Sequence, residues 1–307
     1  MIRSLLAAIA VLFLAAAPAQ AQTAAQPAEE PAWVRSDLQR MVQPDNAGRL
    51  TALKALLDER QIPYTIQTFA GSTESKGVAG HNVVITLGDG PRDLVLGAHY
   101  DAVVQENGRA LDGVVDNGAS VVALVQAAQA LSAYSAKHRI IIIFFDQEEL
   151  GLLGSKAWLA QADRSRIDAA VIFDVNAYGD TVMFGGMKSD TRGQVRASMN
   201  AVCARRMLDC MRFDTYPPSD DIPFADAGIP VVSVGQQPAA DAHQMWLLMH
   251  KGPRSGLAQG VLPSVFTLIH TPGDVMGAVE PAAVNRAFEM AFDLIQDLDD
   301  RYADAPR

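Results

Sequence analysis

Cysteine is nearly absent from this chain. There are two, Cys203 and Cys210, and none near the amino terminus where a lipid would be attached. Basic charge is also short: 25 Lys and Arg stand against 35 Asp and Glu, for a net charge of −10. The electrostatic footprint of a nucleic-acid-binding protein is therefore missing. Beyond the first 21 residues the sequence offers no run read as a membrane-spanning helix, which needs about 20 apolar residues. Internal repeats are lacking, and the only low-complexity stretch is an Ala/Pro/Glu-rich segment ending near Pro31.

What the start does contain is an export pattern. Arg3 precedes an apolar run over 5–17, and Ala19-Gln20-Ala21 supplies small residues for a signal peptidase. The run is too short for an anchor, so 1–21 is expected to be a signal peptide, 22–32 a linker, and the mature protein periplasmic or secreted with no membrane span. That compartment permits disulfides. Seven residues of unbroken helix, however, rise about 10.5 Å, too far for a bridge. A Cys203–Cys210 bond thus requires the helix to end between them, and the turn-rich stretch 211–218 leaves that open.

The composition, 49% hydrophobic and 20% charged, suffices for one sizeable core, placing a single domain over 33–307. Helical spacing of apolar residues predicts a helix or two over 33–59. Strands are predicted at 64–69, 81–87, 93–98, 139–145, 169–173 and 231–234, and helices at 119–134, 150–160, 191–207 and 282–298. Residues Ile140 to Phe145 are apolar without alternation, as in a strand covered on both faces. The fold class is therefore α/β, a three-layer sandwich with a largely parallel central sheet flanked by helices. In such sheets functional groups gather outside the carboxyl ends of the strands.

The residues at those ends are ones that carry chemistry. His99 follows a strand and has Asp101 two residues on, the usual support for a metal-bound imidazole. Asp116-Asn117-Gly118 precedes an Ala/Val-rich helix; alone it reads as an N-cap or a turn. Glu148 and Glu149 follow the buried strand and open the next helix, where acids also suit the helix dipole. Asp174 follows another strand, and His270 lies in a Pro- and Gly-punctuated loop. Each has a structural explanation in isolation. One site holding paired zinc ions explains all five of His99, Asp116, Glu149, Asp174 and His270 together.

The stretches Gly97-Ala98-His99-Tyr100-Asp101, 113–120, 145–155 with its Glu148-Glu149-Leu150-Gly151-Leu152-Leu153-Gly154-Ser155 run, Phe173-Asp174 and His270-Thr271-Pro272-Gly273-Asp274 resemble the co-catalytic zinc aminopeptidase family, metallopeptidase family twenty-eight. The resemblance implies two Zn2+ per chain, with Asp116 bridging, His99 and Asp174 completing one ion, and Glu149 and His270 the other. It implies that Glu148 is the general base, that Asp101 supports His99, and that the Asp116-Asn117 bond is cis. The implied substrates are peptides, cut after the amino-terminal residue, and the stretch from Met245 to Met249 as a candidate pocket wall makes an apolar one the expectation.

Two departures from the family pattern stand out. Ile269 occupies the place where many relatives have Tyr, leaving the oxyanion helper unassigned. Asp221 stands where the family's Ser-Asp-His-x-Pro-Phe stretch has His, so Asp220 and Asp221 are candidate contacts to the substrate end. An insertion at about 236–266 is rich in Met245, Trp246, Leu247, Leu248 and Met249. Met245 and Trp246 are candidate pocket residues there, although such a stripe is commonly core. A carboxypeptidase or dipeptidase would need a base near the site, with Lys251 and Arg254 as candidates. A glutaminyl cyclase or a non-catalytic binding domain is the remaining alternative.

Overall fold

The residues of the apolar run divide between two cores. Ile140, Ile142 and Phe144 join Leu94, Leu96 and Ala98 in one cluster, whereas Ile141, Ile143 and Phe145 join Val95 and Ile172 in another. Side chains alternate across a strand, so a strand buried on both faces must be apolar throughout. This is the middle layer of the sandwich.

A computed structural model describes residues 30–254 and 262–304. The expected signal peptide, residues 22–29 of the linker and residues 255–261 of the insertion lie outside the described residues. From Pro31 onward the chain forms one compact unit.

The strands are β1 (Thr65–Phe69), β2 (Gly80–Leu87), β3 (Asp93–His99), β4 (Arg139–Phe145), β5 (Ile167–Phe173), β6 (Thr181–Gly185), β7 (Asp209–Arg212) and β8 (Val231–Gln237). They form one sheet in the order β1-β2-β4-β3-β5-β8-β6-β7. The central strands β4, β3, β5 and β8 run parallel, as do β6 and β7. The pairs β1/β2, β2/β4 and β6/β8 are antiparallel, so the sheet is mostly but not wholly parallel.

The helices are α1 (Ala32–Met41), α2 (Asn46–Glu59), α3 (Ala119–Leu131), α4 (Leu153–Gln161), α5 (Gln194–Arg205), α6 (Asp221–Asp226), α7 (Ala239–Lys251) and α8 (Pro281–Asp304). The larger core takes side chains from α1, α2, α3, α5, α7 and α8, and the smaller one from α4 and α6.

Several elements differ from expectation. Strands β6 and β7 lie in stretches too short to stand out by periodicity. The insertion forms α7, whose Met245 is buried in the core. Helix α4 begins at Leu153, because Gly151 and Leu152 both adopt positive φ and break the helical path. Glu148 and Glu149 therefore occupy a turn before the helix, not its first turn. One stretch does have the length and hydropathy of a membrane span, contrary to the sequence expectation. It is Val114–Leu131, 83% buried inside the fold, and so a core helix. Helix α5 ends at Arg205 and the chain reverses through Met207, which brings Cys203 and Cys210 into a disulfide with Cα atoms 6.2 Å apart.

Candidate metal centre

The carboxyl ends of the central strands deliver the chemistry. His99 is the last residue of β3, Asp174 follows β5, and Glu148 and Glu149 come just after β4. Asp116 lies in a kinked turn over Val114–Gly118 that leads into α3, where Asp116 and Asn117 leave helical geometry, and its bond to Asn117 is cis. His270, with φ +57, comes from the loop before α8.

These side chains converge. Nε2 of His99 is 3.1 Å from Oδ1 of Asp116 and 3.7 Å from Oδ1 of Asp174. Nε2 of His270 is 3.2 Å from Oδ2 of Asp116 and 3.1 Å from Oε2 of Glu149. The two oxygens of Asp116 thus face two different groups, His99/Asp116/Asp174 and Asp116/Glu149/His270. In each group the potential ligand atoms lie within 4.8 Å of one another. Oδ1 of Asp174 and Oε1 of Glu149 are buried without a hydrogen-bond partner among the described residues. Buried unpaired carboxylate oxygens are costly, and nitrogen-plus-oxygen donor sets of this kind suit zinc. The residues therefore fit a metal-binding role. The side chain of His270 is 56% exposed while the others are largely buried, so the cluster opens to solvent at His270.

Backbone braces position each ligand. Asp101 accepts hydrogen bonds from the amides of Glu148 and Glu149 at 3.1 and 3.2 Å. Its carbonyl and Oδ1 lie 3.2 and 3.5 Å from Nδ1 of His99, which leaves Nε2 directed at the acids. Asn117 donates to the carbonyl of Phe173 and accepts from the amide of Val175, holding Asp174 between them. Asp274 accepts from the amides of Val114, Val115 and Asp116, tying the His270 loop to the Asp116 turn. In the run 148–155, Gly154 has no room for a side chain: a Cβ there would stand 2.4 Å from the carbonyl oxygen of Asp146.

Sequence reasoning missed three contributors. Arg49, fully buried on α2, donates to the carbonyls of Met41, Tyr100, Asp112 and Gly113. A signal was there, since Arg49, Leu53 and Leu56 share one helical face and an arginine on the apolar face needs a reason. Asp274 was visible only as part of a motif. Tyr216 is the third: its hydroxyl donates to the carbonyl of Met183 at 3.3 Å. A Cβ on Gly235 would meet both that hydroxyl and the carbonyl of Asp174, so the phenol packs close to a ligand segment. Burial, then the charges of Asp174 and Asp221, push its pKa well above the usual range, and it stays protonated.

The other expected site residues are divided. Asp220 is fully buried, and its charge acts on Glu148 and His99. Asp221 accepts from the amide of Ser219 and lies against Gly186 and Ser233, at the edge of the cluster. Met245 belongs to the core, and Trp246 stacks on His250 and lines a cavity beside the disulfide. Neither makes a described contact with the acid–histidine cluster. Lys251 lies 5.9 Å from the centre of the Trp246 ring.

A mostly parallel sheet whose strand ends place two histidine–carboxylate groups on one shared aspartate has the architecture of a metal-dependent hydrolase. The chain belongs to peptidase family M28, whose model matches residues 82–295. Among curated proteins it is similar to a probable leucine aminopeptidase 2 of Aspergillus oryzae (33% identity over 90 residues, 29% of this chain and 17% of that protein). The chain thus matches under a fifth of that relative's length. Its fold resembles the LapA aminopeptidase of Legionella pneumophila (TM-score 0.65, 19% identity, covering 87% of this chain and 71% of that one). It also resembles Porphyromonas gingivalis glutaminyl cyclase (TM-score 0.64, 19% identity, covering 87% and 96%).

The protonation of the metal-free cluster leads to a measurable outcome. Hydrogen bonds to Asp116 and Glu149 push His270 up to about 10. Burial pulls His99 down, but the charge of Glu148 and the nearby carboxylates of Asp101, Asp116 and Asp174 outweigh it and raise His99 well above the ordinary range. Both rings therefore carry a proton at neutral pH, and a ligating histidine must lose it. Zinc binding to the metal-free protein at pH 7 is expected to release protons, with apparent affinity rising as the pH climbs towards about 10. Calorimetric titration in buffers of different ionisation enthalpy measures this. Absence of proton release contradicts it.

Proposed function

We propose that the chain is an exported aminopeptidase that works with two zinc ions and removes apolar residues from the amino terminus of peptides in the periplasm or outside the cell. The observation that carries this proposal is the division of Asp116, with Oδ1 towards His99 and Oδ2 towards His270. One carboxylate shared by two complete donor groups is what a two-ion centre requires. Family membership supports peptide substrates, and the export pattern around Arg3 and Ala21 supports the location.

Zinc held by His99, Asp116, Glu149, Asp174 and His270 would supply Lewis acidity for the scissile carbonyl and for a water molecule. The residues of the chain do the rest. Glu148 has an oxygen within 4.8 Å of potential ligand atoms on His99 and Glu149. Burial first, together with the charges of Asp220, Asp174 and Asp101, raises its carboxyl far above the usual range. With the positive charge of bound zinc beside it, the Glu148 carboxyl would be ionised, placed to take a proton from the attacking water and return it to the leaving nitrogen. Asp101 keeps Glu148 and His99 in register through the hydrogen bonds described above. Tyr216, protonated and close to Asp174, is the donor proposed for the developing oxyanion, a role left open by Ile269. Asp220 and Asp221 offer carboxylates to a substrate ammonium.

Two outcomes follow from these roles. Glu148→Ala is expected to retain the metal content of the parent, measured by elemental analysis, while losing about a hundredfold or more in kcat. Metal loss in step with activity would make Glu148 a ligand. Acetylating the amine of a leucyl reporter removes a charge-assisted contact worth roughly 1.5 to 3 kcal/mol, and kcat/KM is expected to fall about ten- to hundredfold. Equal cleavage of free and acetylated substrates, or cleavage only beside a free carboxyl terminus, would replace the aminopeptidase with a carboxypeptidase on the same metals.

A further inference from the structure

A groove of about 960 Å3 begins at Asp101 and Glu149 and runs away from the Asp174 side of the cluster. One wall is the start of α2 with the loop 102–108, and the other is the turn 74–79 with Gln147 and Leu150. Its size is at the upper end of the roughly 300 to 1,000 Å3 that ligand pockets span, far more than one side chain fills. Three of the eight exposed large apolar side chains among the described residues line it: Val78 (64% exposed), Val104 (53%) and Leu150 (41%). Clustering of that kind marks a binding surface. Gln147 in the wall is only 6% exposed and has φ +60. Its Nε2 donates to the carbonyl of Val78, but its buried Oε1 has no partner among the described residues.

We propose that this groove holds the leaving chain of the peptide, the residues after the scissile bond, and selects apolar ones there. The inference rests on the aminopeptidase function proposed above. An enzyme that removes one terminal residue needs a confined end for that residue and an open channel for the remainder. The proposed place for that residue is the other side of the cluster, where Asp220 is buried and Asp174 and Tyr216 are half-buried; none of the three lines the groove. The open channel is contiguous with Glu149. An extended chain lying between Val78 and Val104 buries both, and a backbone N–H entering beside Gln147 satisfies its Oε1. The lining carries Glu74, Asp101, Glu106, Asp146 and Glu149 against Lys76 and His81. A free carboxylate at the next residue is therefore disfavoured, and longer or amidated chains are preferred over dipeptides.

Binding tests this without turnover. The zinc-loaded Glu148→Ala protein, with and without Val104→Asp, is titrated calorimetrically with leucine amide and with Leu-Val-Leu amide. The tripeptide amide is expected to bind about tenfold more tightly, from burial of its apolar chain, and Val104→Asp is expected to erase that gain. Val78→Asp on the opposite wall serves where Val104→Asp fails to fold. Equal affinity for the two ligands, a gain that survives both substitutions, or no binding of either ligand overturns the groove. A gain erased by Val104→Asp in an enzyme indifferent to acetylation would retain the groove and discard the aminopeptidase function.

Discussion

Repulsion among buried carboxylates is the constraint that shapes this protein. Asp101, Asp116, Glu148, Glu149, Asp174 and Asp220 lie close enough at the sheet's carboxyl edge to act on one another's charge. Like charges in a low-dielectric interior repel strongly and are expensive to desolvate, so positive charge must be supplied. In the metal-free protein it comes from protons on His99 and His270 and from Arg49. All the hydrogen bonds described for the Arg49 guanidinium go to carbonyls, and it has no ion pair among the described residues. Burial pulls its pKa down, while Asp101, Asp274, Asp116 and Glu149 push back. An arginine with no adjacent carboxylate is held there by the field of the whole cluster. Bound metal ions answer the same need more completely, which is why the site binds metal and why binding exchanges protons.

The ligands come from separate stretches of chain, so their geometry depends on what ties those stretches together. Asp101 fixes the Glu148–Glu149 turn, Asn117 fixes the segment after β5, Asp274 fixes the Asp116 turn, and Arg49 fixes the exits of β3 and of the loop before that turn. Each brace works through backbone groups, which leaves the ligand side chains free to meet a metal. The sheet provides the rigid base, because its central strands end at the same level and are packed on both faces. On one side of the cluster lie the buried Asp220 and the half-buried Asp174 and Tyr216, and on the other the groove opens at Asp101 and Glu149. That asymmetry suits the proposed removal of one residue at a time.

Much of this was legible in the sequence. The run Ile140 to Phe145 announced a strand covered on both faces, and the acids and histidines after the apolar strands announced a site at the sheet edge. Ligand residues are legible because their chemistry admits few substitutes. The braces were harder to see. Arg49 acts on carbonyls more than fifty residues away, and no local pattern encodes such a contact. Tyr216 comes near Asp174 through contacts with Met183 and Gly235, on two strands distant in sequence, which no local pattern encodes. The Met245–Trp246 stripe shows the opposite error, since an apolar helix face resembles a pocket wall until the core it packs against is known.

The central proposal is that Asp116, whose two carboxylate oxygens face His99 and His270, would serve two zinc ions. Anomalous diffraction at the zinc edge, from crystals of the zinc-loaded parent protein, tests it most directly. The account predicts two zinc peaks flanking Asp116, one against His99 and Asp174 and the other against Glu149 and His270. A single peak at full zinc loading, or two peaks that Asp116 does not touch, would contradict it.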